Sequence, residues 1–310
     1  MRYILALSLL ALPLAAQVKI EQQDGRISVE INGKPFTSLW TGADLRKPFL
    51  HPLISASGKI VTRRWPMETV EGEPKDHPHH RGLWFNHGDV NGIDFWGSDP
   101  AQKNDQKARI AVKKINQVKS GRKQGSITGV FEWLGKDGSP LLTENRVMTF
   151  HAEADIRTID FDITLTANAP VKFGDTKEGS FGLRLAPSLQ ESKTGTMVNA
   201  EGLRKEKEVW GKPSPWVDYY GMLEGEKLGI AIFDHPSNPR HPTHWHSRAY
   251  GLFAANIFGM RDFYRDKSKD GSLQLEKGGT LRFRYRVIIH PGDEKEAKIA
   301  EAYKKYAARK

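Results

Sequence analysis

Apolar and polar residues alternate with a period of two along much of this chain. Ile27, Val29 and Ile31 alternate up to Asn32-Gly33, a pair suited to a tight hairpin because both residues tolerate positive φ. Ile159, Phe161, Ile163 and Leu165 mark a longer strand with polar residues between them. Leu281, Phe283, Tyr285, Val287 and Ile289 are interleaved with Arg282, Arg284 and Arg286. Turn signals at Lys136-Asp137-Gly138, Glu224-Gly225 and Lys277-Gly278-Gly279 separate such runs. The period changes at the end of the chain. There Asp293 and Glu296 have capping-box spacing, and Ile299, Ala302, Tyr303 and Tyr306 recur at helical spacing. No repeat or linker interrupts the pattern. It predicts an all-β fold, one antiparallel β-sandwich domain over 17–310 closed by a C-terminal helix at 293–310.

The 310 residues are 38% hydrophobic and 27% charged, enough apolar material for a sizeable core. Cysteine is absent, which excludes disulfides, thiolate metal sites and cysteine nucleophiles. Lys and Arg number 47 against 37 Asp and Glu, a net charge of +10. The basic stretches, Lys113 to Lys123 and Lys304 to Lys310, look like a polar hairpin and a solvated helix face. A nucleic-acid surface would focus such residues on one face with aromatics between them, so no nucleic-acid partner is expected. At the start, Arg2 precedes an apolar run from Tyr3 to Pro13, then Leu14-Ala15-Ala16 before Gln17. This predicts a cleaved export leader over 1–16 and a periplasmic or secreted protein. The run is shorter than the roughly 20 residues a spanning helix needs, so no membrane span is expected.

Eight of the 11 histidines fall in two windows, His77 to His87 and His235 to His246. Both windows are rich in Pro and Gly and border strand patterns, which predicts loops at strand ends, where sites are commonly built. Three readings are open. A metal site would use the pairs His77/His79 and His244/His246 with Asp89 or Asp94, because imidazole suits transition metals. A metal-free site would set the flat faces of Trp84, Trp96 and Trp245 beside Arg81, Asn86, Asp89 and Asn91, an arrangement suited to a polyhydroxylated ring. The third reading is structural: histidines satisfying loop backbone and tryptophans filling core. Glu178 in a Gly-flanked turn, Arg184 inside an apolar run, and Asp218 among aromatics are further candidates. No P-loop, nucleophile elbow, dinucleotide fingerprint or His-Glu-x-x-His is present.

The stretches 77–97, 178–186 and 234–242 together resemble a family of exported bacterial proteins of unknown function that carries a methane-oxygenase (PmoA) label. The resemblance covers nearly all of 17–310. A membrane-embedded oxygenase subunit needs spanning helices that this chain lacks, so the label implies no activity here. More distantly, the β pattern resembles the galactose mutarotase-like β-supersandwich. That resemblance implies an open sugar-binding cleft with His as acid and Glu as base, roles that His79, His80 and His87 match in part. The segment 254–259, roughly where the catalytic Glu would stand, contains no carboxylate. Glu178 and Asp218 are left as sources of a base.

The expectation is therefore an exported carbohydrate-active protein using His and carboxylate acid–base chemistry for epimerisation, elimination or glycosidic cleavage. His80 and His87 would be acid and base, with Asp89 orienting one imidazole. Arg81 and Arg184 would hold an anionic or keto oxygen, and His79, Trp84, Asn86, Trp96, Glu178 and Asp218 would contact substrate. His235, His244 and His246 would close the cleft. No cofactor is predicted, a His-bound transition metal being the alternative. The expected partner is a carbohydrate or glycoside, a non-catalytic binding module is the second reading, and nothing in the sequence sets an oligomeric state.

Overall fold

The computed structural model describes residues 17–103 and 106–309, so the expected leader at 1–16 lies outside the described residues. The chain opens with β1 (Val18–Gln23), β2 (Arg26–Ile31), β3 (Lys34–Trp40), β4 (Phe49–Leu50) and β5 (Leu83–His87). A meander follows: β6 (Arg109–Lys119), β7 (Gln124–Leu134), β8 (Pro140–His151) and β9 (Arg157–Ala167). Next come β10 (Val171–Phe173), β11 (Gly179–Arg184), β12 (Thr196–Asn199), β13 (Trp216–Leu223) and β14 (Glu226–Asp234). The last strands are β15 (His244–Trp245), β16 (Leu252–Asn256), β17 (Leu273–Leu275) and β18 (Thr280–Pro291). Three helices, α1 (Lys205–Val209), α2 (Met260–Tyr264) and α3 (Ile299–Ala307), are short.

Two eight-stranded antiparallel sheets make the sandwich. The first runs β1-β2-β3-β4-β5-β11-β16-β15 and the second β12-β13-β14-β18-β9-β8-β7-β6. Asn32 and Gly33 join β2 to β3 at φ 55° and 73°, the left-handed pair that matches the twist of hairpin strands. The inner faces meet in an aromatic core. Phe85 lies 5.4 Å from Phe283 and 6.0 Å from Trp133, and Phe181 lies 4.5 Å from Tyr285, centroid to centroid. Burying each such ring is worth about 1.5–3 kcal/mol. Among the described residues no helix is long and apolar enough to cross a membrane.

The outer face of the second sheet is covered by α3, whose Ile299 and Tyr306 pack on Trp216, Ala231, Phe233 and Ile288. This helix is shorter than the expected 293–310. Asp293 and Glu296 do exchange hydrogen bonds, Glu296 N–H to Asp293 Oδ1 at 3.0 Å and Asp293 N–H to Glu296 Oε2 at 2.9 Å. They close a turn rather than a helix, because Lys298 takes a left-handed φ of 52° before regular helix begins.

On the second sheet, Asp218 is committed to a buried partner instead of a substrate. His290 Nε2 donates to Asp218 Oδ1 at 3.1 Å, and its Nδ1 faces the Pro291 carbonyl at 3.1 Å. Both ring nitrogens meet acceptors, which favours the imidazolium. Burial works against that charge, but Asp218 and the Pro291 carbonyl outweigh burial and raise the His290 pKa above 6.5. The stability this pair contributes is full below the unfolded value and is lost as pH rises through the raised folded value. Urea midpoints measured across that range should fall with rising pH, and His290→Gln should remove this component of the slope.

Candidate functional site

The outer face of the first sheet carries the site. Strand alternation puts Leu83, Phe85 and His87 of β5 on the core face and Trp84 on the other. Trp84 pairs across to Gly182 of β11, and Gly182 to Ala254 of β16, so small residues leave a trough for the indole. A Cβ on Gly182 would stand 2.7 Å from Trp84 Cζ2 and 3.0 Å from Trp96 Cη2. Gly182→Ala is expected to cost about 1–3 kcal/mol and to shift the tryptophan emission. Unchanged urea unfolding and emission would show that the indole is not seated there.

A column of near-parallel rings rises from this floor. His80 stacks on Trp84 at 5.2 Å, His77 on His80 at 4.8 Å, and Tyr250 on His77 at 5.3 Å, each within 16° of parallel. Two fully buried arginines hold the loop that carries the histidines. Arg63 donates to the carbonyls of Asp76, His77 and His80. The Asp76 carboxylate accepts from Arg63 Nη1 at 2.6 Å, from Arg184 Nη2 at 2.9 Å and 3.0 Å, and from His77 Nδ1 at 2.8 Å. Partial burial pushes the Asp76 carboxyl up, but the guanidiniums and His77 outweigh it and hold its pKa at about 2.

Beside the column lies a cleft of about 450 Å³, its walls including His77, His79, Asp94, Trp96, Glu178 and Tyr250. The hydrogen bonds fix which nitrogen of each imidazole is left for a ligand. Arg184 donates to His80 Nδ1 at 3.0 Å, Gln102 to His79 Nδ1, and Trp210 Nε1–H to His246 Nδ1 at 3.0 Å. In neutral form these three carry their protons on Nε2. They stay neutral. Burial and nearby cations lower His79 to about 2 and His246 to about 3, and burial with the adjacent His79 and Arg184 drives His80 well below its ordinary value. His77 is different: Asp76 holds its Nδ1, so Nε2 is the nitrogen it offers to the cleft. Burial raises the Asp94 carboxyl despite the N–H groups of Gly97 and Trp96. Glu178 Oε2 stands 4.0 Å from His246 Nε2, and Oε1 pairs with Lys177.

Of the residues expected from sequence, His79, His80, Trp96, Glu178 and His246 meet at the cleft, with Trp84 and Arg184 directly beneath. The others do not. His87 is turned into the core by strand alternation and lies among Phe173 and Phe258, with Nε2 on the Gly174 carbonyl at 2.8 Å. Asp89 does not orient it by a hydrogen bond and instead accepts the Gly92 N–H in a turn. Asn86 is buried and donates to the Phe95 carbonyl, and Arg81 clamps Asp99 at 2.6 Å and 3.0 Å. His235 binds the Arg309 carbonyl beside Tyr306 of α3, and His244 stacks on Phe263 behind Tyr264. His80 also changes role. Its Nδ1 lone pair is taken by Arg184, its Nε2 is buried and its charged form is suppressed, so it is a support of the column rather than the acid or base.

Asp76, Arg63, Gln102, Lys177, Arg248 and Tyr250 join the site without a local sequence signal, and His77 and Asp94, expected only as metal ligands, line the cleft. Among the described residues, no group of three or more His, Asp and Glu side chains is disposed to hold a metal ion.

A model of a family of unknown function, DUF6807, matches residues 26–304. The chain belongs to that family. A search of curated proteins finds no match. Among solved structures, the chain is similar to an α-galactosidase from Lactobacillus brevis at 10% identity and TM-score 0.43, covering 90% of this chain and 40% of that one. It is similar to a galactose mutarotase-like protein from Clostridium acetobutylicum at 9% identity and TM-score 0.42, covering 89% and 98%. It is also similar to the heparan sulfate lyase HepC from Pedobacter heparinus at 11% identity and TM-score 0.39, covering 90% and 36%. The chain thus spans about two fifths of the galactosidase and little more than a third of the lyase.

Proposed function

We propose that the cleft binds a sugar or glycoside and carries out proton transfer on it, in an epimerisation, an elimination or a glycosidic cleavage. Tyr250 supplies a flat apolar wall for the C–H face of a sugar ring, backed by the buried Trp96, and Gln102, Glu178, Arg248 and the Nε2–H groups of His79 and His246 supply directional contacts for hydroxyls. The observation that carries the reading is the Asp76–His77 pair. A carboxylate that fixes one nitrogen of an imidazole and leaves the other on a cleft is the arrangement a general base needs. Asp94, its carboxyl raised by burial, is the group on the same cleft suited to return a proton to a carbonyl or leaving oxygen.

The test is incubation of the protein with a panel of aldoses, keto-sugars and methyl glycosides in D2O, followed by proton NMR. Exchange at carbon, elimination and cleavage give separate signals. Turnover of at least one sugar supports the reading, while sugar binding seen by tryptophan emission with no spectral change would make the protein a binding module. Because Asp94 acts protonated, the rate should fall as pH rises through a value above the ordinary 3.8 of an aspartate. Asp94→Asn should remove that limb of the profile.

A further inference from the structure

A second basin of about 530 Å³ adjoins the cleft and shares Arg248 with it. Its wall is continuous with the cleft in a second way, because the Trp210 that lines the basin is the indole that donates to His246 Nδ1 in the cleft. Trp210 and Tyr264 give it aromatic surface, and Tyr264 is 52% exposed. The charges are one-sided. Arg248 is bound to Glu206, the one acidic residue lining the basin, at 2.8 Å, and the Ala249 N–H occupies the other oxygen of that carboxylate. Lys207, Lys212 and Arg265 line the same basin and make no ion pair among the described residues; Arg265 instead lies 6.0 Å over the Trp210 ring. An aromatic wall with three uncompensated cations suits a sugar that bears its own negative charge.

Resting on the sugar reading of the cleft, we infer that this basin is a second subsite, which takes an acidic sugar unit, carboxylated or sulfated, of an oligosaccharide whose neighbouring unit lies in the cleft. Both spaces fall in the roughly 300–1,000 Å³ range of small-ligand sites, so the ligand is longer than a monosaccharide. The cations attract it from solution, and the contribution weakens with salt.

Calorimetric titration with matched probes tests this: trigalacturonate against its full methyl ester, and a sulfated galactose trimer against its desulfated form. The expected result is about tenfold tighter binding of at least one charged trimer over its neutral form, an advantage that shrinks with added salt. The pair that shows it assigns the subsite to carboxylate or to sulfate. The triple variant Lys207→Gln/Lys212→Gln/Arg265→Gln should lose the advantage and keep its affinity for the neutral trimer, which also shows that it is folded. Neutral trimers that bind with no charge advantage in either pair, or an advantage that survives in the triple variant, overturn the subsite and leave the sugar cleft standing. Failure of every trimer and every sugar of the panel to bind overturns the cleft reading and the subsite with it.

Discussion

Arg184→Leu is expected to lower the unfolding free energy by about 3 kcal/mol and to abolish ligand binding in the cleft. The guanidinium is fully buried in a strand, with Nη2 on both oxygens of Asp76 and Nη1 on His80. Removing one partner of a buried charge pair costs about 3–5 kcal/mol when the other charge is left uncompensated. Here the lower end applies, because Asp76 is part-exposed and keeps Arg63 and His77 as partners. Binding should suffer more than stability. His80 loses the donor that sets its tautomer, and the loop carrying His77 and His79 loses one of the two side chains that hold it. Arg184→Lys should recover part of the stability but not the binding, since an ammonium cannot reach Asp76 and His80 with a fork. Urea unfolding and ligand titration on the same preparations separate the two effects. A variant as stable as the parent would show that the buried network is not under load.

His77→Gln should lower kcat about 10²–10⁴-fold on whatever sugar the panel identifies, with a smaller effect on KM. Glutamine keeps a polar side chain on the cleft but cannot take up a proton as imidazole does. Asp76→Asn tests the same pair through its positioning residue. It removes the carboxylate that fixes Nδ1 and that pairs with the two buried guanidiniums, so kcat and stability should fall together, and Asp76→Glu should restore part of both. If His77→Gln turns over substrate like the parent, the base lies elsewhere on the cleft, with Glu178 the next group to replace.

Period-two alternation made the sandwich legible, because each strand with one face in the core repeats its apolar residues in the same register. β2, β9 and β18 stand where the pattern put them. The same rule applied inside the first histidine window would have separated its members. Leu83, Phe85 and His87 share one face of β5, so His87 follows two core residues into the interior, while His77, His79 and His80 precede the strand in a loop. Composition pointed to the window as a whole and could not make that division. Short strands hid the rest. β15 has two residues and β4 two, too few to show a period. Asp76, in turn, finds Arg184 only through the pairing of β5 with β11, which no local pattern reports. Asp218 stands among aromatics in the sequence, yet of these Trp216 packs under α3 and Tyr219 points into the core between the sheets.

The cleft joins the 76–102 segment to residues far along the chain, Asp76 and Arg184 being 108 residues apart, whereas the β6–β7, β7–β8 and β8–β9 pairings are all between sequence neighbours. Such nonlocal closure is slow relative to hairpin formation, because the entropy of bringing the ends together is lost before the contacts reward it. The second sheet can therefore start to assemble from its own meander, while the cleft must wait until β16 has been delivered beside β11. In a refolding chain, ligand binding should be among the last properties to return, well after most of the strand signal in circular dichroism.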